Sequence, residues 1–119
     1  MRFRVEGLDH AAFGVGDQAA SEAWYREVLG LERKYAAEWG DTPVAVMSGG
    51  SGLALFKGGD SPGAFRHLAF RVDRANFELA QEDFRDAGIA FEFQDHGVSH
   101  SIYFEDPDGV RLELTTYEV

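Results

Sequence analysis

The chain has 119 residues, of which 45% are hydrophobic and 13% aromatic, with ten Phe. This supplies material for the core of one domain and excludes disordered, collagen-like and coiled-coil classes. Eleven Lys and Arg against 21 Asp and Glu give a net charge of −10 and argue against nucleic acid or an anionic membrane as partner, while the absence of Cys excludes disulfides, thiol nucleophiles and thiolate zinc sites.

Any metal must therefore be held by His and carboxylate side chains. The N-terminal Met-Arg-Phe-Arg-Val-Glu-Gly shows neither a signal-type apolar run nor a membrane span, so the cytoplasm is the expected location. Residues 8–15 read as a strand. Asp17 can cap a helix with Ala20, Trp24 and Val28 as its apolar stripe, and Gly30 is placed to end it in the left-handed conformation. Weaker strand patterns follow near 31–38, 43–48 and 53–57, separated by Gly40-Asp41 and Gly49-Gly50-Ser51-Gly52. The turn-rich stretch 58–63 joins this half to the next.

The pattern then restarts. A strand over 65–72 precedes a helix that Asn76 can cap, with Phe77, Ala80, Phe84 and Ala87 on one face and Gly88 as its stop. Strands over 89–94, 100–105 and 110–116 complete the chain, the last two joined by Asp106-Pro107-Asp108-Gly109. Both halves read β-α-β-β-β. His10-Ala-Ala-Phe13-Gly-Val15 aligns with His67-Leu-Ala-Phe70-Arg-Val72, Gly30-Leu31 with Gly88-Ile89, and Leu53-Ala54-Leu55 with Leu112-Glu113-Leu114. One domain over 1–119 is thus expected, with a module at about 1–58 duplicated at about 64–119. The fold class is α+β: two βαβββ modules forming a cup-shaped mixed sheet with helices on its outer face.

Side chains on a strand alternate between faces, so parity sorts them. Phe13, Val15, Leu68, Phe70, Val72, Ile102, Phe104, Leu112 and Leu114 belong to the helix-covered faces. His10, His67, Tyr103 and Glu113 fall on the opposite faces, among small residues such as Ala12, Ala54 and Ala69. Two His and one Glu form a donor set suited to Fe(II), Mn(II), Zn(II) or Ni(II). In the repeat His10 matches His67 whereas Glu113 matches Ala54, so three of four related positions carry ligands. His96 and His100, just before the strand of Tyr103, are candidates for acid–base work at the rim. Arg71 is a candidate for binding an anionic substrate. Asp106-Pro107-Asp108-Gly109 is read as a register-setting turn without chemistry.

These residues resemble the vicinal oxygen chelate superfamily, which groups glyoxalases, bleomycin resistance proteins and extradiol dioxygenases. The resemblance runs from His10-Ala-Ala-Phe-Gly-Val through Trp24-Tyr-Arg-Glu-Val-Leu-Gly-Leu31 to Ser101-Ile-Tyr-Phe-Glu-Asp-Pro-Asp-Gly-Val-Arg-Leu-Glu113-Leu. It implies a small substrate chelated by a divalent metal through two adjacent oxygens, with His10, His67 and Glu113 as ligands, and a homodimer. Type I extradiol dioxygenases are similar in their His-His-Glu set on Fe(II), in a Tyr ten residues before the Glu, as Tyr103 stands, and in a loop His, as in Asp95-His96-Gly97. That branch implies ring cleavage with Fe(II) as first choice and Tyr103, His96 and His100 as catalytic candidates. Glyoxalase I enzymes carry a ligand where this chain has Ala54, which counts against glyoxalase chemistry, and a glyoxalase-like lyase or isomerase is the alternative that the resemblance implies. Fosfomycin-modifying members also use two His and a Glu, but no thiol-binding or potassium-loop signature stands out. A metal-free binding protein of the antibiotic-sequestering type would keep the cup without needing the triad.

Overall fold

The computed structural model describes residues 1–35, 43–57, 65–105, 107 and 109–119, without the side chain of Leu29. The Gly40-Asp41 turn, the joining stretch 58–63, the end of the strand expected over 31–38, and Asp106 and Asp108 of the Asp106-Pro107-Asp108-Gly109 turn lie outside the described residues. The chain is α+β and contains two compact units. One comprises His10–His67, the other Met1–Asp9 together with Leu68–Val119.

In the His10–His67 unit, β1 (Gly7–Val15, entering from its first three residues) pairs in parallel with β4 (Ser51–Lys57). β4 pairs antiparallel with β3 (Val44–Ser48), and β3 with the two-residue β2 (Glu32–Arg33), giving the order β2-β3-β4-β1. Val15, Val44, Val46 and Leu55 form the buried cluster, with Phe13, Tyr25, Leu31 and Leu53 packed against it. Phe13, Val15, Val44, Val46, Leu53 and Leu55 are the parity-matched positions of the strands, so period-two alternation selects the face that takes the helix.

Helix α1 (Gln18–Leu29) starts where the Asp17 side chain accepts from the Ala20 amide, 3.0 Å away, and ends at Gly30 in the left-handed conformation, φ 72°. Its rotation departs from expectation. Trp24 and Val28 are 52% and 57% exposed and Ala20 is exposed too. Gln18 donates to the Leu55 carbonyl at 2.8 Å, Glu22 pairs with Arg33 at 3.4 Å, and Tyr25 joins the core. The inward stripe is thus Gln18-Glu22-Tyr25, which has the right spacing but two polar members held by specific partners. A count of apolar residues points to the wrong face.

In the second unit, β5 (Phe65–Arg71) continues from Leu68 in parallel with β8 (Arg111–Thr116). β8 pairs antiparallel with β7 (His100–Glu105), and β7 with β6 (Glu92–Asp95), in the order β5-β8-β7-β6. Helix α2 (Arg74–Ala87) buries Phe77, Ala80 and Phe84 against Val72, Ile102 and Leu114, while Ala87 is exposed. Burying each such Phe contributes on the order of 1.5–3 kcal/mol. The cap is Asp73, not Asn76. Asp73 Oδ1 accepts from both the backbone amide and the side-chain amide of Asn76, at 2.8 and 2.9 Å. A carboxylate one turn earlier reaches the orphan amides, which leaves Asn76 Oδ1 to accept from the Arg4 amide at 2.7 Å.

The bonds of the N-terminal segment explain why Met1–Asp9 belongs to this unit although a first module of about 1–58 was expected. The Arg2 amide and Nε donate to Asp83 of α2 at 2.7 and 2.8 Å, and the Glu6 amide donates to the Arg71 carbonyl at 2.7 Å. Phe3 meets Phe84 edge to face, with ring centroids 5.6 Å apart.

Candidate metal and acid–base residues

His10 and His67 are brought together. Their Nε2 atoms lie 3.1 Å apart and their rings cross at 80°. His67 is buried and its ring also meets Phe56 edge-on, at a centroid distance of 6.2 Å. Two imidazole nitrogens bound at about 2.0–2.1 Å and a right angle to one ion would be about 2.9 Å apart, and slightly more at a wider angle. The observed separation fits such a pair, and equally fits one N–H···N hydrogen bond between neutral rings. Opposite His10 in the parallel register stands Gly52. A Cβ there would collide with the Val46 carbonyl and the Met47 sulfur, so only glycine lets β3 and β4 close beside this histidine.

Glu113 sits at the centre of β8, 2% exposed, opposite Ala69 on β5 and Tyr103 on β7. Its Oε2 accepts a hydrogen bond of 2.6 Å from the Ser101 hydroxyl, which is itself 3.2 Å from the Thr115 hydroxyl. Ser101 and Thr115 face each other in the same ladder. Their parity with Tyr103 and Glu113 was visible in sequence, but a Ser within an apolar run carries no signal for a role.

Tyr103 is buried, with the Arg111 guanidinium 4.4 Å from its ring centroid and His96 Nε2 2.9 Å from its hydroxyl. Burial first, then the neighbouring Glu113 charge, pushes the phenol well above its ordinary range, against the opposing pull of Arg111. Tyr103 therefore stays protonated at neutral pH. His96 is aimed by a tight loop in which its amide donates to the Ser99 carbonyl at 2.9 Å and Gly97, at φ 79°, turns the chain. A groove of about 520 Å³ opens beside Tyr103, lined by Ile89, Phe91, Glu92, Phe104 and Arg111 among others.

Two other candidates lie elsewhere. His100 shares the parity of Ile102 and Phe104, its Nδ1 is 2.9 Å from Arg74 of α2, and its ring meets Phe93. The structure holds it on the helix-covered side, away from the acid–base role expected for it. Arg71 donates to Asp9, which is 1% exposed, at 3.0 Å, and Asp9 also accepts from Tyr117 at 2.7 Å. A guanidinium committed to a buried carboxylate is not available as an anion receptor.

Residues 7–114 match the Glyoxalase/Bleomycin resistance protein/Dioxygenase superfamily. The chain belongs to that superfamily. Within it, the chain is 28% identical over 120 residues to the metallothiol transferase FosB of Staphylococcus saprophyticus, covering 94% of this chain and 78% of that one. Among solved structures, methylmalonyl-CoA epimerase of Mycobacterium tuberculosis matches with a TM-score of 0.76 at 18% identity, over 98% of this chain and 91% of that chain. The E323L mutant of homoprotocatechuate 2,3-dioxygenase from Brevibacterium fuscum matches with a TM-score of 0.74 at 24% identity, over 98% of this chain and 34% of that longer one. At these identities the two structures establish the glyoxalase-superfamily fold. Among the described residues no helix is long and apolar enough to cross a membrane.

Proposed function

We propose that this superfamily member is a divalent-metal-dependent enzyme that holds a small substrate through two neighbouring oxygens, with His10, His67 and Glu113 as ligands, and that its reaction is oxygen-dependent cleavage of a vicinal aromatic diol. The His96–Tyr103 pair carries the choice of reaction. A divalent ion, Fe(II) by first preference and Mn(II), Zn(II) or Ni(II) by donor chemistry, would orient the two substrate oxygens and ease their deprotonation. The donor set supports this reading, since two imidazoles at cis-ligand spacing and a buried carboxylate on a central strand are the borderline-hard donors such ions take.

The chain's own residues supply the proton chemistry. Tyr103 keeps its proton and donates a hydrogen bond to an anionic substrate oxygen. His96 accepts a proton from a substrate hydroxyl and returns it to the cleaved product, with Tyr103 fixing the orientation of the imidazole.

Likeness to the metallothiol transferase supports a second reading, transfer of a thiol to a small electrophilic substrate at the same ligands. One experiment separates the two. Protein stripped of metal is reconstituted anaerobically with Fe(II) or Mn(II), then given a panel of catechols with oxygen-electrode detection, or thiols and epoxides with mass-spectrometric detection. Ring cleavage predicts oxygen uptake with at least one diol, reduced about 10²- to 10⁴-fold in His96→Ala. Thiol adducts without oxygen uptake transfer the assignment to the second reading. Equal metal content in wild type and His67→Ala overturns both.

A further inference from the structure

Ser101 has no place in the chemistry just described, yet it is fully buried and makes a 2.6 Å hydrogen bond to Glu113. A hydroxyl has one proton, and at this length it goes to the carboxylate as a charge-assisted bond. The Ser101 oxygen then accepts from the Thr115 hydroxyl, 3.2 Å away and 1% exposed. Two buried hydroxyls in series thus end on one oxygen of one carboxylate.

The duplicated module provides an internal control. Ala54 stands where Glu113 does: it lies opposite Ala12 in the parallel pair and Ala45 in the antiparallel pair, as Glu113 lies opposite Ala69 and Tyr103. Stepping two residues further along both strands, from Tyr103 back to Ser101 and from Glu113 on to Thr115, corresponds in the first module to Pro43 and Phe56. Neither can donate a side-chain hydrogen bond. The hydroxyl pair thus accompanies the carboxylate and is missing where the carboxylate is missing, although the strand scaffold is the same.

We propose that Ser101, backed by Thr115, is a positioning residue that holds Glu113 Oε2 so that the carboxylate binds a divalent cation through its other oxygen. This rests on the reading of Glu113 as a ligand. Support of this kind, one shell beyond the ligands, sets the orientation and basicity of the donor and typically changes metal affinity 10- to 100-fold.

The test measures the Kd of Mn(II) and Co(II) alone on stripped protein, by competition with a chromophoric chelator, together with the visible absorption of the Co(II) form. Ser101→Ala is expected to weaken both metals about 10- to 100-fold and to alter the Co(II) bands. Thr115→Val, nearly isosteric, is expected to weaken them less. It also stands in as the decisive variant should circular dichroism show Ser101→Ala unfolded. Glu113→Gln is the control. If Glu113→Gln loses affinity while Ser101→Ala and Thr115→Val bind as wild type does, the positioning role is overturned and the ligand reading survives. If Glu113→Gln also binds as wild type does, Glu113 is not a ligand and both fall. A purely structural Ser101 would lower the melting temperature of the metal-free protein with the Kd unchanged, which equally overturns the inference.

Discussion

Ala54 and Glu113 hold equivalent places in the two modules, each in the parallel strand beside the module's first strand and each flanked by leucines that face the helix. The helices match as well. Asp17 and Asp73 cap them, and Gly30 and Gly88, both at φ 72°, end them. The side chains placed on this common backbone diverge. The second module carries a buried carboxylate with its hydroxyl support, a protonated Tyr103 and the loop His96, whereas the first presents Ala45, Ala54 and Gly52 on the same face. The outward faces of the helices differ too. That of α2 bears Glu78, Glu82 and Asp86, whereas α1 exposes Ala20, Trp24 and Val28. A duplicated fold keeps caps, turns and strand order because these satisfy the backbone, and leaves individual face positions free to take on chemistry or lose it.

The largest effect expected from breaking this comparison lies in the second module's core. Phe77→Ala removes a ring that is 0% exposed and should cost about 3–5 kcal/mol, read as a fall in the chemical-denaturation midpoint. Trp24, for all its size, should behave oppositely in the first module. An intermediate effect belongs to Asp83, which only the second module has as an anchor for the N-terminal segment. Burial raises its pKa, but the hydrogen bonds from the Arg2 guanidinium and from the Arg2 and Phe3 amides outweigh this and hold it below the ordinary 3.8. A carboxyl with a depressed folded-state pKa stabilises above its unfolded-state value and loses that contribution as pH falls through the folded-state one. Wild type should therefore be more stable than Asp83→Asn at pH 7, with the gap closing below about pH 4. A gap that is constant with pH would show that the pairing with Arg2 carries no linkage. The smallest effect is expected for Trp24→Gln, within about 0.5 kcal/mol of wild type. A larger loss would show that α1 turns this face inward after all.

Much of the candidate site was legible from alternation. His10, His67, Tyr103 and Glu113 were each selected by parity, and parity holds because a strand has only two faces. His96 and His100 were indistinguishable by type and setting. Their separation follows from the loop over 96–99, which turns one imidazole onto Tyr103, while β7 carries the other toward Arg74. Arg71 looked available because its partner Asp9 is 62 residues away in sequence. The cap was misplaced by one turn for a related reason: Asp73 and Asn76 are both good caps, and only their mutual hydrogen bonds decide between them.

Sequence by itself determined the βαβββ repeat, the helix stops at glycine, the core faces of the strands and a cysteine-free set of candidate donors, His and Glu. Each of these follows from a local period or from residue type. Tertiary structure alone decided that the inward stripe of α1 is Gln18-Glu22-Tyr25, that Met1–Asp9 packs with the second module, and that Ser101 and Thr115 stand behind Glu113. Those outcomes depend on polar partners distant in the chain. Periodicity shows which face a side chain takes, but not which donor or acceptor it meets there.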